Sequence, residues 1–207
     1  LFRLERYAET EAALVRELKL QPEHAAALDL LKKVKHYQRI QSAAEKGRQS
    51  QSERIRVAVW SFDDIHTNCA GLRLLEPLLR LPEIELSWAV RIANGRGMYD
   101  METVRNSDLF VIQRMLPCPG TAATLLEIFK MGIPIIYEVD DLLLDPPPTN
   151  AIRDFAMQCR PYVLEVMQRA AAITVSTEAL KAELLQWNPN IYVLPNLIDE
   201  RLWTQAQ

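Results

Sequence analysis

The residues best suited to chemistry fall in short polar clusters, each just after an apolar run. The first cluster is Asp63-Asp64-Ile65-His66-Thr67-Asn68, which follows Arg56–Phe62 (RVAVWSF). An imidazole beside two carboxylates can take a proton from a hydroxyl within hydrogen-bond reach. Asp63, Asp64 and His66 are therefore the candidate catalytic residues. The plainer alternative is that Asp63 or Asn68 caps the following helix while His66 is solvated. Further clusters are Gln113-Arg114, the acids Glu138, Asp140 and Asp141 of IIYEVDD, Ser176-Thr177, and Pro195-Asn196. Gln113, Arg114, Glu138, Asp140, Asp141, Ser176 and Asn196 are the candidates for holding a hydroxyl-bearing ligand, since their groups make directed hydrogen bonds. The acids of IIYEVDD admit two other readings: a carboxylate pair for a divalent metal on a diphosphate, or structural bonds to neighbouring loops. No metal site is expected.

These clusters need a scaffold that brings them together. From residue 54, short apolar runs alternate with helix-like stretches. The runs are Arg56–Phe62, Ile84–Val90, Leu109–Met115, Pro134–Val139, Ala172–Ser176 and Ile191–Leu194. Several are apolar on successive residues, as a strand covered on both faces requires. Between them Ala70–Leu81, Gly120–Met131, Ile152–Ala170 and Thr177–Trp187 have helical length and pattern. The alternation predicts an α/β fold, a Rossmann-like parallel sheet with helices on both faces. In such sheets ligands bind beyond the carboxyl ends of the strands, where the polar clusters lie. The segment after Val90, with Asn94, Gly95 and Gly97, reads as a loop that could hide a strand, with a short helix after Tyr99. Arg73 reads first as a surface partner of Glu76 and second as a cation in the cleft. The first turn lacks both GxGxxG and GxxxxGK[ST], which disfavours a dinucleotide fold or a phosphate-binding loop.

Residues 1–50 differ in composition. Ala27, Leu30, Leu31, Val34, Tyr37, Ile40 and Ala44 make a helical stripe, Leu4, Tyr7, Leu14 and Leu18 a looser one, and Pro22 suits a helix start. An α-helical hairpin is expected, joined to residues 54–207 by the polar linker GRQSQS. Leu14 and Pro22 are spaced as in a tetratricopeptide repeat, although Glu17 stands where such repeats carry Ala. The hairpin is thus either the end of such an array or a generic helical arm, and its stripe is a candidate surface for a protein partner.

Composition narrows the function classes. A net charge of -3 gives no reason to expect nucleic acid or an anionic membrane surface as partner. The cysteines Cys69, Cys118 and Cys159 are odd in number and widely spaced, which suggests neither a disulfide framework nor a zinc site and suits a cytoplasmic protein. No apolar run is long enough for a transmembrane segment, which leaves peripheral membrane contact open. The start at Leu1 rather than Met is expected of a piece of a longer protein.

The ordered set Arg56–Ser61, Cys69-Ala70-Gly71-Leu72-Arg73, IIYEVDDL, AAITVST with Leu180, and VLPNLID resembles the N-terminal half of bacterial GT-B glycosyltransferases of the group 1 kind. The resemblance runs from about residue 54 to residue 202, with Leu197 standing where relatives often have Gly. It implies a glycosyltransferase in which residues 54–207 are the acceptor-side domain and a C-terminal donor domain is absent from this chain. The full-length enzyme would transfer a sugar from a nucleotide sugar to a glycan or other hydroxyl acceptor. This chain itself would hold no cofactor. The alternative is a non-catalytic interaction module that joins the helical arm to a Rossmann-like domain.

Overall fold

The computed structural model describes residues 4–28, 30–32, 34–35, 54–61, 68–93 and 96–196. The candidates Asp63, Asp64 and His66 lie outside the described residues, as do Tyr37, Ile40, Ala44, the linker and Leu197.

The strands are β1 (Ile55–Trp60), β2 (Ile84–Trp88), β3 (Val90–Ala93), β4 (Arg96–Tyr99), β5 (Leu109–Gln113), β6 (Ile135–Val139), β7 (Ala172–Val175) and β8 (Ile191–Val193). The six apolar runs become β1, β2, β5, β6, β7 and β8. Six of them form one parallel sheet in the order β2-β1-β5-β6-β7-β8. Val57 through Trp60 and Phe110 through Gln113 are buried on successive residues, so both faces of the central strands are covered. The fold is the expected α/β, Rossmann-like class.

Among the described residues, five helices connect the strands. Helix α1 (Leu4–Leu20) precedes the sheet. Helix α2 is composite: Asn68–Ala70, a π-helical stretch Gly71–Leu75, and Glu76–Leu79. Helix α3 is Met101–Arg105, α4 is Ala122–Met131, α5 is Arg153–Arg169 and α6 is Glu178–Leu184. Gly132 ends α4 in the left-handed conformation at φ 71°, which a side chain would disfavour. Thr177 caps α6, its side chain accepting from the Leu180 amide at 3.1 Å.

The segment read mainly as a loop after Val90 is a separate antiparallel ribbon of β3 and β4. It returns the chain to the sheet, where the Tyr99 ring lies 4.7 Å from that of Trp60 and Asp100 caps α3 through the Thr103 amide. Before the sheet, the described positions between 25 and 35 are helical, and Leu14, Ala27 and Val34 bury one another with Leu79 of α2 against them.

Two polar fasteners fix the sheet away from its carboxyl ends. The Arg56 guanidinium grips Asp108 through Nε at 3.0 Å and Nη2 at 2.6 Å, and the Arg56 amide donates to the same carboxylate. This ties the amino ends of β1 and β5. The buried Asn188 donates to the carbonyls of Met167 and Ala170 at 2.8 and 2.9 Å and accepts from the Asn190 amide at 2.8 Å. It therefore closes the end of α5 and sets the start of β8 in one side chain.

Candidate functional site

The chain leaves β1 for β2 on one side and returns to β5 on the other. The carboxyl ends of β1 and β5 thus flank the switch point at which open parallel sheets bind ligands.

A lateral row of polar side chains forms a floor at these carboxyl ends. Register places Trp60 beside Ile112 and Gln113 beside Glu138, so Ser61, Gln113 and Glu138 follow one another across three strands. Ser61 Oγ donates to Gln113 Oε1 at 2.5 Å, and Gln113 Nε2 donates to Glu138 Oε2 at 2.7 Å. Gln113 and Glu138 are each 1% exposed. A carboxylate buried this far needs a cation. Arg73, whose side chain is only 4% exposed, supplies it through Nε on Glu138 Oε1. Its Nη1 donates to the Leu194 carbonyl at 2.8 Å and to Asn196 Oδ1 at 2.7 Å. Burial pushes the Glu138 carboxyl above its ordinary range, against the opposing pull of Arg73 and Gln113.

Arg73 corrects its first sequence reading. Glu76 pairs with Arg80 at 3.7 Å, and Arg73 faces the sheet. The reason is local: Gly71–Leu75 is π-helical, and the Glu76 amide reaches back to the Gly71 carbonyl. The wider turn shifts the phase of the helix, so ordinary helical spacing misplaces the residues inside it.

The rim is built around Arg114. Its φ of 53° puts a side-chain-bearing residue in the left-handed region, at a cost of about 1–2 kcal/mol. The surroundings hold it there. Its amide donates to the Glu138 carbonyl at 2.9 Å, and its carbonyl accepts from the Tyr137 hydroxyl at 2.9 Å. Burial pushes that Tyr137 hydroxyl far above its ordinary range, so it stays a donor. The Arg114 guanidinium then meets Asp141 at 3.0 Å, Cys69 Sγ at 2.9 Å and Asp140 at 3.6 Å. Ser176 Oγ donates to the Asp140 carbonyl at 2.9 Å.

The expected ligand-holding residues therefore divide. Arg114, Asp140, Asp141 and Ser176 gather on the rim, with the Asp141 side chain 59% exposed. Asn196 joins the floor through Arg73. Gln113 and Glu138 depart from their expectation: they are sealed in the floor, where they position other groups and do not meet solvent. The acids of IIYEVDD split between two guanidinium groups, Glu138 on Arg73 and the aspartates on Arg114. Among the described residues no cluster of His, Cys, Asp and Glu suits a metal ion. Ser61, Cys69 and Tyr137 had no assigned role in the sequence. Ser61 and Gln113 do share one signal, each lying at the end of an apolar run. Elsewhere, a cleft of about 390 Å³ lined by Arg56, Glu85, Ser87, Asp100 and Asn106 lies toward the amino ends, away from this rim.

Fold and site together define a Rossmann-like α/β domain with a charged cluster beside its switch point. No protein-family model and no curated protein matches the chain. A solved structure described as a conserved protein from Enterococcus faecalis V583 is similar at 14% identity and a TM-score of 0.34, over 68% of this chain and 92% of that one. Likeness at that level transfers nothing about function. No helix among the described residues is long and apolar enough to cross a membrane.

Proposed function

We propose that residues 54–207 are the acceptor-side domain of a glycosyltransferase that moves a sugar from a nucleotide sugar to a hydroxyl. The observation that supports this most is the rim itself. A strained Arg114 holds an exposed Asp141 and a half-hidden Asp140 at the switch point. Strain kept by surrounding bonds is a feature of sites where direction matters. Exposed carboxylate oxygens beside a guanidinium accept from sugar hydroxyls in directed pairs. Glu138 and Gln113 would fix the floor beneath the acceptor. A base for the acceptor hydroxyl is assigned to Asp63, Asp64 or His66. Charge on the leaving diphosphate would be met by cations and a helix N-terminus of a donor-binding domain.

The test is calorimetry of the protein against a panel of neutral oligosaccharides. One of them is expected to bind, and Asp141→Asn is expected to weaken that binding at least tenfold at unchanged melting temperature. Equal affinity in Asp141→Asn would remove the rim from acceptor recognition. Tight binding of a nucleotide sugar by residues 54–207 would reverse the assignment of the domain.

A further inference from the structure

One guanidinium connects parts of the chain that are remote in sequence. Arg73 belongs to α2, Glu138 to β6, and Leu194 and Asn196 follow β8, one strand beyond β7. Nε is bonded to Glu138, and Nη1 is bonded to both groups at the β8 exit. Because the guanidinium is planar and rigid, fixing Nε on the carboxylate fixes the direction of Nη1.

We propose that Glu138 and Arg73 form a latch on the exit of β8. Ionised Glu138 locks Arg73 across the sheet, where it holds Leu194 and Asn196, and neutral Glu138 releases them. A neutral carboxyl leaves the buried Arg73 cation without compensation. Its relief is hydration, which needs the side chain to leave its sealed position. That movement breaks both bonds to the β8 exit. The groups facing Glu138 are Arg73 from α2, Gln113 from β5, Asp140 beyond β6 and Tyr137 on its own strand. Burial and the like charge of Asp140 favour the neutral form, while Arg73 and Gln113 favour the ionised one. The balance lies above the ordinary value, so the carboxyl takes up its proton at a higher pH than an exposed glutamate. The latch stands apart from the glycosyltransferase reading.

The experiment is an NMR titration of the whole protein, with glutamate side-chain carboxyls labelled, over roughly pH 4 to 8 around the ordinary glutamate range. The Leu194 and Asn196 amide shifts are expected to share one midpoint with the Glu138 carboxyl. The Leu194 amide donates to the Val175 carbonyl at 2.7 Å and the Ile173 amide to Asn190, so their exchange rates compare the exit of β8 with its start. Below the midpoint, exchange at Leu194, corrected for intrinsic rate, is expected to rise about tenfold relative to Ile173, the equivalent of one charged hydrogen bond. Glu138→Gln at neutral pH is expected to reproduce that ratio. If this variant does not fold, the wild-type titration decides. Flat Leu194 and Asn196 signals while Glu138 titrates would overturn the latch. So would equal acceleration at both amides, or a Glu138 that never titrates before the protein unfolds.

Discussion

Replacing Arg73 with Met removes the cation from a carboxylate that is 1% exposed. Left ionised, Glu138 would be an uncompensated buried charge, a situation that costs about 3–5 kcal/mol. The protein has an escape, which is to bind a proton. The penalty at pH 7 is then that of protonating a carboxyl whose ordinary value is 4.5, about 3.4 kcal/mol at 1.36 kcal/mol per pH unit. The two routes agree in size, so a loss of about 3 kcal/mol is expected. The escape also has a signature. A carboxyl that is protonated when folded and ionised when unfolded binds more protons in the native state, so stability falls as pH rises above 4.5. The Glu138 carboxyl of the wild type is raised in the same direction but is held back by Arg73, so its slope is smaller. Urea unfolding of both proteins at several pH values above 4.5 measures the difference. Arg73→Met is expected to gain a slope approaching -1.4 kcal/mol per pH unit over wild type, and the double variant with Glu138→Gln is expected to lose it. A loss below about 1 kcal/mol with parallel pH profiles would refute the buried-pair account.

Arg114→Gly is expected to be more stable than Arg114→Ala by about 1 kcal/mol in chemical denaturation, since both lose the rim contacts and only glycine suits a φ of 53°. Ser61→Ala is expected to cost about 1–3 kcal/mol in the same assay, because Gln113 Oε1 loses a buried donor. The Arg56 guanidinium holds the Asp108 carboxyl at about 2 against an ordinary 3.8, so its contribution is present above 3.8 and is lost as pH falls toward 2. Acid unfolding of Asp108→Asn, followed by circular dichroism, is expected to show a shallower pH dependence across that window.

The sheet was legible because burial on both faces leaves a visible mark. Val57–Trp60 and Phe110–Ile112 are apolar without alternation, and the observed strands lie within two residues of the expected runs. The β3–β4 ribbon was mostly hidden because its strands have only four residues each, too few to show a period, and the turn chemistry of Asn94, Gly95 and Gly97 reads as a loop. In the site, Glu138, Asp140 and Asp141 look alike as letters. Their fates differ because the first belongs to the strand, in register with Gln113, while the aspartates lie beyond the ladder. Arg73 was visible as a residue but not as a direction, since a π-helical turn breaks the spacing by which direction is read.

Among the described residues β8 lies at one margin of the sheet, opposite β2. It has only three residues, with Tyr192 and the following Leu194 exposed. A margin of this kind invites pairing by a second chain, and a short one offers few groups to pair with. Asn188 pins its start and, while Glu138 is ionised, Arg73 pins its finish, so both ends are held at this length. Two side chains from outside the strand thereby keep this margin short, a task usually left to residues within the strand.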